Sequence, residues 1–145
     1  MTIDASVFVA SIRTQEINHG DSLLFLSRLP QTGTQIYCHS LLVPECSASI
    51  ARRTGNVVQA EDIIEQVQMF PNLHLLPLTR DRAQQAAKLA MNYRLRGADA
   101  VYLAVAEEFE TTLVTWDGEM RTRGAGVVTT LTPTEWLAAQ TGAGN

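Results

Sequence analysis

Four acidic residues stand where a carboxylate is unusual. Asp4 closes the short opening Met1-Thr-Ile. Glu45 lies in a helical run rich in Leu, Val, Cys, Ala and Ile. Asp99 sits in Gly97-Ala-Asp-Ala-Val-Tyr-Leu-Ala104, with Leu95, Tyr102 and Leu103 at helical spacing, so its face is not a solvated one. Asp117 follows Thr112-Leu-Val-Thr-Trp116. Four carboxylates converging in a partly buried cleft would repel one another, and either their pKa values would rise or the cleft would open. A divalent cation removes that penalty, and oxygen-only ligands favour Mg²⁺ or Mn²⁺. Helix N-termini near Glu45 and Asp99 would help hold negative charge before the metal arrives.

Each acid taken alone has a plainer role. Asp99 after Gly97 and Glu45 after Pro44 suit helix N-termini. Asp117-Gly118 is an ordinary turn pair, and Asp4 suits a helix cap. The chemical reading rests on all four occurring together. His19, His39 and His74 lie in unrelated segments and read as structural or exposed rather than as a catalytic base.

The elements expected to position these acids alternate between strand and helix. Strands are predicted at Met1–Asp4, Gln35–Cys38, Leu73–Leu78, Thr112–Trp116 and Val127–Thr130. Helices are predicted over Ser6–Arg13, with Ser6 as N-cap, and over Glu16–Leu29, which Pro30 stops. Others follow at Ser40–Arg53, with Gly55 as C-cap, Glu61–Phe70, Thr79–Leu95, Ala98–Phe109 and Thr134–Ala139. The strands are short and apolar rather than alternating, as in a parallel sheet covered on both faces. The expected fold is therefore α/β, a three-layer α/β/α sandwich with a short central parallel sheet. In such sheets ligands bind beyond the carboxyl ends of the strands, which puts Asp4 and Asp117 on one edge.

Length and composition agree. The 145 residues suit one domain, 1–145, and the 46% hydrophobic content excludes a disordered chain. No apolar run reaches the roughly 18 residues of a membrane span, and the N-terminus has no basic region before an apolar stretch. Cys38 and Cys46 lack the partners of a disulfide framework or zinc site and read as reduced core residues, which fits a cytoplasmic protein. The net charge is −4, although the basic set of ten Arg and one Lys favours phosphate contact. A general basic surface for nucleic acid is therefore not expected.

At these residues the sequence resembles the PIN-domain ribonucleases, and within them the toxin half of VapBC-type toxin–antitoxin pairs. The carrying segments are Ile3-Asp-Ala-Ser6, Leu42-Val-Pro-Glu-Cys-Ser-Ala-Ser-Ile-Ala-Arg-Arg-Thr-Gly55, Leu95-Arg-Gly-Ala-Asp-Ala-Val-Tyr-Leu-Ala104 and Leu113-Val-Thr-Trp-Asp117. Each is weak alone; their order and spacing together are specific. Asp4, Glu45, Asp99 and Asp117 match the family's four acidic positions, and Ser6 and Thr115 its small hydroxyl positions. Plainer roles for those two are a helix cap and β-propensity.

The resemblance implies Mg²⁺- or Mn²⁺-dependent hydrolysis of RNA phosphodiester bonds. Asp4, Asp99 and Asp117 would hold the metal, with Glu45 on the metal or the nucleophile. Ser6 and Thr115 would orient a carboxylate or water. Phosphate contacts fall to Arg side chains, with Arg96 first and then Arg94 and Arg13; Arg121 and Arg123 are further candidates. It also implies a cognate antitoxin presenting basic and apolar residues, and a homodimer packed through the small-faced helix Arg80–Leu95. That helix could equally pack on the chain's own sheet. The alternatives are a metal- or RNA-binding module that does not cut and a housekeeping or DNA-directed nuclease with the same site. A phosphoacceptor receiver domain fits poorly, because strand one ends in a single Asp and the only Lys, Lys88, lies in a helix.

Overall fold

Every strand pairing is parallel, as the short unbroken apolar runs predict. A computed structural model describes residues 1–142; the last three positions of the expected domain lie outside the described residues. Strand β1 (Thr2–Ile3) pairs with β4 (Leu113–Val114), and β4 pairs with β5 (Thr130–Leu131). Strand β2 (Ile36–His39) pairs with β3 (Leu73–Leu76). The Tyr37 N–H donates to Met1 O at 2.8 Å, so β2 runs beside β1. The spatial order is thus β3-β2-β1-β4-β5.

Helices complete a three-layer α/β/α fold. They are α1 (Ala5–Ile12), α2 (His19–Arg28), α3 (Leu42–Thr54), α4 (Val57–Gln68), α5 (Arg80–Tyr93), α6 (Gly97–Glu108), α7 (Gly118–Gly124) and α8 (Pro133–Gly142). Helix α6 packs on β1, β2 and β4 and is flanked by α5, while α1 packs with α2, α3 and α4. Residues Asp99 to Ala106 of α6 are all buried. An apolar helix of this kind belongs in the middle of a structure, and it carries Asp99 and Tyr102 inward with it.

Most differences from expectation lie at element ends, one short helix is additional, and side-chain hydrogen bonds explain most of them. Helix α2 begins at His19 rather than Glu16, because Glu16 is paired with Arg13 and Arg53. Ile17 consequently stands almost fully exposed. Helix α4 begins four residues before the expected Glu61, because the Asn56 side chain accepts the Gln59 N–H at 3.1 Å. Helix α7 was not anticipated; Asp117 starts it by accepting the Met120 N–H at 2.9 Å. Helix α8 opens with a reciprocal box in which Glu135 accepts the Thr132 N–H and Thr132 accepts the Glu135 N–H. Gly55 ends α3 at φ 66°, in the left-handed region that glycine enters without strain. Ser6 lies inside α1 rather than at its cap; Asp4 holds the cap position without a side-chain capping bond. Both cysteines are free and buried. Among the described residues no helix is long and apolar enough to cross a membrane.

Candidate active site

The parallel register of β1 and β4 builds the centre of the site. Ile3 is paired with Val114, and the Asp4 N–H donates to Val114 O at 3.0 Å. Asp4 and Thr115 therefore leave the same sheet edge side by side. Asp4 is buried, and its Oδ2 accepts from Ser6 Oγ at 2.5 Å and Thr115 Oγ1 at 2.8 Å. Each hydroxyl in turn accepts a backbone N–H from the turn after β4: Ser6 from Trp116 at 3.1 Å and Thr115 from Asp117 at 3.0 Å. Two hydroxyls thus lock one carboxylate to the loop that carries another.

The remaining acids arrive on helix N-termini. Glu45 lies in the first turn of α3, Asp99 in the first turn of α6, and Asp117 caps α7. With Asp4 at the cap of α1, four positive helix ends face one region, which offsets part of the mutual repulsion. All four acids line one cleft of about 510 Å³, together with Ser6, Ser49, Arg53, Arg96 and Trp116. The Tyr102 hydroxyl, buried in α6, donates to Glu45 Oε2 at 2.6 Å. Arg96 bridges two acids: Nε donates to Asp99 Oδ2 and Nη2 to Asp117 Oδ2, each at 2.8 Å.

Burial dominates the electrostatics. Desolvation pushes the Asp4 carboxyl above its usual range, and its hydroxyl partners only partly oppose that. Glu45 is raised by desolvation and then by Asp4 and Asp99, against the Tyr102 hydrogen bond. Asp99 is also raised, desolvation outweighing the Arg96 contact. An exposed guanidinium is a weak counter-ion, which accounts for that balance: the Arg96 side chain is 69% exposed.

The four sequence-predicted acids, with Ser6 and Arg96, come together in this cleft, and the buried Thr115 reaches it through its bond to Asp4. Arg13 does not line it and touches it only through Glu16. Arg94 lies at the end of α5, its carbonyl taken by Arg123, away from the cleft lining. Arg121 pairs with Glu135 and Arg123 with Glu119. Sequence reasoning missed Arg53, Tyr102 and Trp116, the last read only as the end of a strand. Arg53 had a signal, two residues before the Gly55 cap in the segment that carries Glu45; Tyr102 had none, since its spacing from Asp99 reads as core.

The donor chemistry fits a hard divalent cation. All the acid donors are carboxylate oxygens, and Asp99 Oδ1 and Glu45 Oε1 make no hydrogen bond among the described residues while their other oxygens are held in place. The acids are not closed around an ion: among the described residues no three His, Cys, Asp or Glu side chains are grouped closely enough to hold one. Asp117 uses both oxygens, one on the α7 cap and one on Arg96.

A parallel three-layer fold with four acids gathered at the carboxyl edge of its sheet defines a small class of α/β proteins. The chain belongs to the PIN domain family, whose model matches residues 1–125. Among solved structures it is similar to VapC20 of Mycobacterium tuberculosis, described as a sarcin-ricin loop cleaving toxin. That match has 19% identity and a TM-score of 0.69, covering 88% of this chain and 95% of the other. It is also similar to PAE2754 of Pyrobaculum aerophilum (18% identity, TM-score 0.69, 95% and 93% covered). A third is FitAcB of Neisseria gonorrhoeae (19% identity, TM-score 0.67, 92% and 97% covered). These likenesses establish the fold. No curated protein sequence matches the chain.

Proposed function

We propose that the chain is a Mg²⁺- or Mn²⁺-dependent endoribonuclease and the toxin component of a toxin–antitoxin pair. One observation carries the reading: acids from four separate segments line a single cleft at the carboxyl edge of a parallel sheet. The presence of a sarcin-ricin loop cleaving toxin among its structural relatives supports the substrate class. Relatives solved as toxin–antitoxin complexes, such as that of Klebsiella pneumoniae (17% identity, TM-score 0.64), support the partner.

Asp4, Asp99 and Asp117 would hold the cation, and Arg96 is bonded to one oxygen of each of the last two. When bound, the cation supplies Lewis-acid charge to the phosphate oxygens and acidifies water. Glu45, fixed by Tyr102, orients the attacking water through its free Oε1. Ser6 and Thr115 keep Asp4 in one rotamer throughout. Arg96 and Arg53 stand at the cleft to meet phosphates. In-line attack leaves a 5′-phosphate and a 3′-hydroxyl.

The test is cleavage of single-stranded RNA by chelator-treated protein before and after Mn²⁺ is returned, with the new RNA ends mapped. Cleavage restored by Mn²⁺ and giving 5′-phosphates is expected. Cleavage undiminished in chelator would overturn the metal reading. A module that binds RNA without cutting it has one observation in its favour, the Arg96 bridge across Asp99 and Asp117. It predicts RNA bound but intact at every Mn²⁺ concentration.

A homodimer would use α5. Ala86 and Leu89 bury against α6, whereas Ala83, Ala87 and Met91 remain exposed. Sedimentation as a monomer at micromolar concentration would rule that dimer out.

A further inference from the structure

Trp116 is the aromatic side chain lining the acid cleft, and neither metal binding nor phosphate contact has a use for it. It lies between Thr115 and Asp117, so its backbone belongs to the turn that carries the site. Both ends of the residue are tied down. The backbone N–H donates to Ser6 Oγ at 3.1 Å, and the indole Nε1–H donates to Ser22 Oγ at 2.8 Å. Ser22 is fully buried in α2. The one polar atom of the ring is therefore turned into the protein and satisfied, and what half-exposed surface remains is carbon and π-face. Ala5, Ala10 and Ala98 line the same cleft, so small side chains share it with the ring.

We infer that Trp116 stacks an unpaired nucleobase of the RNA, next to the phosphate that the acids address; this rests on the nuclease reading above. A flat, rigid aromatic wall beside the carboxylates and arginines of this cleft matches a base and little else on an RNA strand. Stacking of this kind tolerates any base but requires that it be unpaired. It makes single-stranded RNA the substrate class, because a duplex offers no free π-face. The Ser22 bond contributes preorganisation: the ring is held in one pose before substrate arrives.

The test measures binding by the full chain, in chelator so that no cutting occurs. The probes are short oligoadenylate, its deoxy counterpart, and an abasic phosphodiester of equal length. A Trp136→Phe background makes Trp116 the sole tryptophan, so its emission reports the contact directly. Oligoadenylate should quench that emission and the abasic strand should not. Trp116→Ala should weaken oligoadenylate binding by about 5- to 150-fold, the range of one base–aromatic stack, while Trp116→Phe keeps most of it. The Phe variant retains a ring and loses the Ser22 bond, so it separates stacking from folding if the Ala variant melts early.

Equal binding of the abasic strand, no quenching by oligoadenylate, or unchanged affinity in a folded Trp116→Ala would overturn the inference. Tighter binding of the deoxy strand would overturn RNA as the source of the base. If stacking holds but Mn²⁺ never restores cleavage, the nuclease reading fails alone. If Mn²⁺-dependent cleavage is intact in Trp116→Ala and binding is unchanged, the stacking inference fails alone.

Discussion

The Tyr102 hydroxyl donates to Glu45 Oε2 at 2.6 Å and ties the central helix α6 to the start of α3. Tyr102 is buried and its own pKa is raised well above the usual value by that burial, so it remains a donor at any working pH.

Tyr102→Phe is therefore expected to act on Glu45 rather than on the core. It keeps the ring and deletes the hydroxyl. Leaving a half-buried carboxylate oxygen unpaired costs roughly 1–3 kcal/mol. Losing the partner of a metal-site carboxylate typically costs about 10- to 100-fold in activity or metal affinity. Thermal melts and initial cleavage rates check both. An unchanged rate would mean that Glu45 takes no part in the chemistry.

Asp4→Asn and Asp99→Asn should each abolish Mn²⁺-dependent cleavage without destabilising the metal-free protein. The amide keeps an acceptor for Ser6 and Thr115, or for Arg96, and removes a charge that burial disfavours. Melting temperatures in chelator should hold or rise. A fall of several degrees would mark either acid as structural.

Arg96→Ala should tighten Mn²⁺ binding and weaken RNA binding. The guanidinium is paired with Asp99 and Asp117 through their Oδ2 atoms, and its positive charge opposes a cation at the same acids. The side chain is largely exposed, so the gain in cation affinity should be only a few-fold. Calorimetric titration with Mn²⁺ measures it directly. Weaker Mn²⁺ binding by the variant would show that Arg96 supports the site.

His39 sets an acid limit on the fold. It is fully buried against the Tyr102 ring, and neither ring nitrogen has a hydrogen-bond partner among the described residues. Desolvation, with help from Arg82, holds its pKa down at about 4. The folded value lies below the unfolded one, so the unfolded chain binds the proton more readily. The associated stability is present above pH 6.5 and is lost as pH falls towards 4. A shift of that size is worth up to about 3 kcal/mol. His39→Leu should flatten the fall in denaturant midpoint between those pH values; an identical slope in the variant would refute the assignment.

Much of the site was legible because its signals are local. An acid after an apolar run marks a strand end, as at Asp4 and Asp117. An acid inside an apolar helix, as at Asp99, marks an interior carboxylate in the sequence itself. Element ends were less legible. The start of α2 depended on Glu16 pairing with Arg53 across 37 positions, and no local pattern encodes that. Helix α7 is short and depends on a cap whose Asp also belongs to the site.

The linear chain alone determined the alternation of strand and helix, the burial of α6, and the identity of the acids. These follow from apolar periodicity and from the chemistry of single residues. Only the tertiary structure decided which oxygens are held and by what: Ser6 and Thr115 on Asp4, Tyr102 on Glu45, Arg96 across Asp99 and Asp117. It also decided that Arg53 and Trp116 reach the cleft while Arg94 does not. Those contacts join segments up to 111 residues apart. They depend on register and on the direction of side chains, which a one-dimensional pattern does not carry.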